Sequence, residues 1–125
     1  MTRFGCPTEA EEQTALFRWA AYNRVKYPEL DLMYHIPNEA KRSAITGHNL
    51  KAQGMKPGVP DICLPVPNIK HTALYIELKR RKGGRISEDQ RVWIAALNRV
   101  GCRAVVCHGW DEAREEIERY LGGRI

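Results

Sequence analysis

Apolar residues recur along this chain with two different periods, and the changes of period mark out its elements. Thr8-Glu9-Ala10-Glu11 has capping-box spacing: the Thr8 hydroxyl can meet the Glu11 amide, and Glu11 can reach back. The helix it opens is predicted to run to about Lys26, with Gln13, Leu16, Phe17 and Ala20 on one face, and Pro28 stops it. Leu32 to Ile36 predicts a short strand closed by Pro37, and residues 40–53 a weak helix ending at Gly54. Gly54 to Pro60 reads as a rigid loop, followed by a short strand from Asp61 to Leu64 that Pro65 and Pro67 break. From His71 to Arg81 the period is two, with Leu74, Ile76 and Leu78 on one face and Tyr75, Glu77, Lys79 and Arg81 on the other. Gly83-Gly84 turns the chain. Ser87-Glu88-Asp89-Gln90 then opens a second capped helix, with Val92, Trp93, Ala96, Leu97 and Val100 as its stripe and Gly101 at its end. A strand from Arg103 to Cys107 and an amphipathic helix from Trp110 to Leu121 complete the chain. This order predicts an α/β sandwich, a central mixed β-sheet flanked by helices. With 125 residues and no repeat or linker, one domain over residues 1–125 is expected.

Composition narrows the class. Hydrophobic residues make up 43% and charged residues 28%, as in a soluble globular protein. No stretch approaches the ~20 apolar residues of a membrane span, and the first residues lack an apolar signal core. A cytoplasmic protein with no membrane partner is expected. Cys6, Cys63, Cys102 and Cys107 are scattered, which predicts reduced, small packing residues rather than a disulfide framework or zinc site. His35, His48, His71 and His108 show no metal-ligand spacing and read as surface or core residues. Trp19, Trp93 and Trp110 fall on helix stripes or at a helix start and read as core or dimer packing.

Charge is distributed more tellingly than its total of +5. Residues 41–85 hold ten Lys and Arg against two acids, a balance of +8, while the remainder is −3. A one-sided basic block is the electrostatic footprint of a polyanion-binding face.

The two acids inside that block are Asp61 and Glu77. Glu77 and Lys79, two apart on a strand, project from one face, and a hairpin would lay Asp61 beside them. Two carboxylates brought together repel unless they share a cation, and hard divalent metals take oxygen ligands. Mg²⁺ held by Asp61 and Glu77 would polarise a phosphodiester and lower the pKa of bound water, with Lys79 orienting or deprotonating that water. The alternative reading is an exposed Glu-Lys pair on an edge strand, with Asp61 as a turn residue.

Gly58-Val59-Pro60-Asp61, then Glu77-Leu78-Lys79, then Gln90 opening a helix, resembles the PD-(D/E)xK nuclease superfamily, and more narrowly its VRR-NUC (virus-type replication-repair nuclease) family. Thr8 to Gln13, Ile36-Pro37-Asn38 and Ser87 to Gln90 extend the likeness over nearly the whole chain. The resemblance implies a restriction-endonuclease-like fold that cuts DNA with Mg²⁺ or Mn²⁺. It makes Asp61 and Glu77 metal ligands with the Leu78 backbone carbonyl as a third oxygen, Lys79 the catalytic lysine and Gln90 a site-lining residue. The family's first-helix glutamate falls on Glu9, with Glu12 the alternative and Glu11 left to the cap. Lys56, Arg80, Arg81, Lys82 and Arg85 are expected to follow the DNA backbone. Small relatives imply a homodimer cutting Holliday junctions or other branched DNA in repair, leaving 5′-phosphate and 3′-hydroxyl ends. The family and the short chain suggest a phage protein in a bacterial cytoplasm. Ile94 stands four after Gln90, so the Gln-x-x-x-Tyr of some exonuclease relatives is absent. The rival expectations are a non-catalytic DNA-binding module, a nuclease preferring flaps, nicks or ends, and a protein-interaction adaptor.

Overall fold

The computed structural model describes residues 5–37 and 44–125, with the side chains of residues 44–47 outside that description. Asn38 of the Ile36-Pro37-Asn38 match and the first two basic residues of the 41–85 block, Lys41 and Arg42, also lie outside the described residues. Strands β1 (Tyr34–His35), β2 (Ile62–Leu64), β3 (Leu74–Lys79) and β4 (Arg103–His108) form one sheet in that order. The first three are antiparallel and β4 runs parallel to β3, so the sheet is mixed, as its α/β order predicts. The helices are α1 (Glu9–Tyr22), α2 (Ala44–Ala52), α3 (Glu88–Arg99) and α4 (Trp110–Leu121).

Each face of β3 has its own role. Leu74, Ile76 and Leu78 pack with Leu16 and Ala20 of α1 and Ala113, Ile117 and Tyr120 of α4, forming the core. Each buried Leu or Ile among them contributes about 1.5–3 kcal/mol. The opposite face carries Tyr75, Glu77 and Lys79, and α3 covers it over β4. Glu77 and Lys79 are nevertheless buried, at 1% and 7% exposure, so they are not the exposed pair of the alternative reading. The free edge of β4 is met by a side chain: Asn98 accepts from the Ala104 N–H at 2.9 Å and donates to the Ala104 carbonyl at 2.9 Å.

Several boundaries depart from the sequence reading. α1 stops at Tyr22, not Lys26, because the Asn23 side chain donates to the Trp19 carbonyl and its N–H to Ala20. Leu32 belongs to a 3-10 turn, Pro28–Leu32, so β1 keeps only two residues. Val92 and Val100 of the expected α3 stripe are 57% and 72% exposed, because the helix spans β4 rather than the full width of the sheet. All four cysteines are free, with Cys63 and Cys107 buried. Among the described residues, no helix is long and apolar enough to cross a membrane.

Candidate active site

Asp61 is fixed from two sides. Its carbonyl accepts from the Ile36 N–H at 2.6 Å and from His35 Nδ1 at 3.0 Å, while its carboxylate accepts from the Leu78 N–H at 3.0 Å. The loop before it reaches this place through Gly58, which has φ +89° and is buried. A Cβ there would lie 2.4 Å from the Asp89 carbonyl carbon, so only glycine lets the loop rest on the first turn of α3.

The β2–β3 register pairs Ile62 with Ile76, which brings Asp61 opposite Glu77. One Glu77 oxygen, Oε2, accepts from Gln90 Nε2 at 3.0 Å and lies 3.5 Å from Lys79 Nζ. The other, Oε1, is buried with no hydrogen-bond partner. Desolvation, followed by repulsion from Asp61, pushes the Glu77 carboxyl up to about 8 despite the opposing pull of Lys79. A buried acid facing a second acid with a bare oxygen is a site short of positive charge. Asp111 Oδ1, also buried, has instead the Arg81 guanidinium at 2.9 Å.

Gln90 carries both roles that its position allows. Its Oε1 accepts from the Ser87 N–H at 2.8 Å and completes the capping box, while its Nε2 reaches Glu77. The first-helix acids separate. Glu9 lines a small cleft of about 220 Å³ with Gln13, His35, Asp61 and Leu78. Glu12 is buried and bound to Arg81 Nε at 2.8 Å, Arg81 Nη2 at 3.2 Å and the Trp110 N–H at 3.0 Å, so it caps α4 from across the core. Glu11 completes the Thr8 cap.

That pairing corrects the expectation for Arg81, which turns onto Glu12 and Asp111 instead of extending with its neighbours. Lys56, Arg80, Lys82 and Arg85 are exposed. His35, read from the sequence as a surface or core residue, is exposed and lies on the cleft. Its role follows from a backbone contact to Asp61 that no local spacing encodes.

The model for the VRR-NUC domain matches residues 7–111. A search of curated proteins gives no match. A solved structure described as a VRR-NUC domain protein superposes with a TM-score of 0.82 at 27% identity, covering 94% of this chain and 91% of that one. The α/β nuclease-like sandwich expected from the sequence therefore holds. The loop, hairpin and capped helix that gather Asp61, Glu77, Lys79 and Gln90 all lie inside the matched residues, and by that match the chain belongs to the VRR-NUC domain family, a family of nuclease-type domains.

Proposed function

We propose that this protein is a metal-dependent DNA endonuclease that cuts branched DNA such as Holliday junctions. The observation that carries the chemistry is the buried Glu77 Oε1, which has no hydrogen-bond partner and stands beside a second carboxylate, Asp61. Hard divalent cations suit such oxygens. The family resemblance adds the Leu78 backbone carbonyl as a further oxygen, so Asp61, Glu77 and that carbonyl would hold the ion. When bound there, Mg²⁺ or Mn²⁺ supplies Lewis acidity toward a phosphodiester oxygen and toward water.

The remaining work falls to the chain. Gln90 holds Glu77 by Oε2, leaving Oε1 unengaged and able to serve as a ligand. Lys79, fixed near Glu77 and largely buried, presents an ammonium that orients the attacking water and offsets charge developing on the phosphate. Glu9 stands at the Asp61 side of the site, where it can orient water. Lys56, Arg80, Lys82 and Arg85 hold the duplex arms, so affinity falls steeply with salt. Two copies, each cutting one of a pair of strands, fit a branched substrate.

The test is cleavage of a labelled four-way junction beside flapped, nicked and linear DNAs with Mg²⁺ or Mn²⁺, with EDTA and Glu77→Ala as controls. Junction cuts that vanish in both controls support the proposal. Preference for ends or flaps overturns the junction assignment, and tight binding without cutting points to a binding module. Sedimentation of the protein with and without junction reads the dimer.

A further inference from the structure

Beside Lys79, on the same face of the sheet, lies a second hollow of about 410 Å³ that shares none of the residues Asp61, Glu77, Lys79 or Gln90. Arg85, Arg91 and His108 line it, over a floor that includes Val106. The β3–β4 register places His108 directly beside Lys79, one strand spacing of ~4.8 Å away. Gly84 joins the two places: it lines the hollow, and a Cβ on it would lie 3.0 Å from the Lys79 Cβ. The hollow thus keeps a fixed position relative to the catalytic lysine.

Its charge is unanswered. Arg85 has no carboxylate partner among the described residues. Arg91 meets Glu88 at 3.4 Å, but both side chains are well exposed, at 62% and 80%, and such a pair is weak and easily exchanged. His108 is held by its Nδ1, which donates to the Arg80 carbonyl at 3.0 Å. Glu112 binds the His108 backbone N–H and does not line the hollow. Two arginines lining one hollow gather positive charge there, and their forked donors match a phosphate.

We propose that this hollow is a phosphate subsite, seating an internal DNA phosphodiester that flanks the scissile one and so fixing which linkage reaches Lys79. The proposal rests on the nuclease reading for its substrate.

The test replaces single phosphates by neutral methylphosphonates, stepping away from the cut. It compares wild type with Arg91→Ala, and with Arg119→Ala as a remote charge control. In wild type, one neutral linkage near the cut lowers kcat/KM about tenfold, the worth of a charged hydrogen bond. Arg91→Ala lowers cutting of the unmodified DNA by a similar factor and loses its sensitivity at that linkage alone, while Arg119→Ala keeps it. Arg91→Ala that retains wild-type sensitivity at every linkage overturns the subsite. So does coupling confined to a 5′-terminal phosphate, compared between 5′-phosphorylated and 5′-hydroxyl strands.

Equilibrium binding of the same DNAs in EDTA reads the subsite without any cutting. There Arg91→Ala lowers the salt slope by roughly 0.7–0.9. Binding that shows the coupling while wild type cuts no DNA would sink the nuclease reading and leave the phosphate subsite standing.

Discussion

Glu12 and Glu77 are both 1% exposed, yet they differ in whether their inward oxygens are answered. Glu12 receives Arg81 on both oxygens and the Trp110 N–H on Oε1, so a helix start and a guanidinium together satisfy it. Glu77 has Gln90 and Lys79 on one oxygen and no donor on the other, with the Asp61 carboxyl close by. Equal burial therefore accompanies opposite surroundings: one acid is fully satisfied within the fold, and the other keeps an oxygen without a hydrogen bond, the one assigned above to a metal in the proposed function. Depth of burial alone would have ranked them together.

Substitution separates them. Glu77→Ala is expected to lower cleavage by about 10³–10⁴-fold, several kcal/mol of barrier, with the fold retained by circular dichroism. Glu12→Ala should act the other way round. It takes one of the two carboxylate partners from Arg81 and bares the α4 start, costing about 2–3 kcal/mol in urea unfolding, with near-normal activity in whatever remains folded. An unfolded Glu77→Ala beside a stable Glu12→Ala would reverse the assignment.

The third effect is on pH. A carboxyl that titrates near 8 in the fold and near 4.5 outside it favours the folded state while protonated. Stability of the metal-free protein is then full below about 4.5 and falls by a few kcal/mol as pH rises toward about 8. Glu77→Gln should flatten that fall, and Mg²⁺ or Mn²⁺ at pH 8 should restore wild type but not the variant. Thermal melts across pH, with and without metal, measure both. A wild-type profile as flat as that of Glu77→Gln would mean Glu77 already has its counter-charge.

The smallest expected effect is that of Gln90→Ala, about 10–100-fold in activity from a loosened Glu77 and about 1 kcal/mol from the lost cap. Stability loss without activity loss would reduce Gln90 to a cap.

Asp61, Glu77 and Lys79 were legible because strand parity and a hairpin are local rules, and Gln90 because capping boxes have fixed spacing. Glu12 was not separable from Glu9 by pattern, since its partner Arg81 lies 69 residues away. The same long reach hid the true position of Arg81, which looks like any member of the run Arg80-Arg81-Lys82. Helical periodicity found the apolar stripe of α3 but carries no information on how much sheet lies beneath it, so Val92 and Val100 were misassigned. His35 and Asn98 act on distant backbone groups, and no spacing announces that.

Asn98 has a consequence for assembly. An open strand edge is a template on which a further chain can add, and β4 is the longer edge of this sheet. Its Ala104 N–H and carbonyl are taken by one side-chain amide, in the manner of a strand neighbour one residue long. The opposite edge, β1, is two residues long and offers little to copy. Strand addition at β4 is thus blocked at Ala104, and a dimer of the kind proposed would form through side-chain surfaces rather than by extending one sheet into the next.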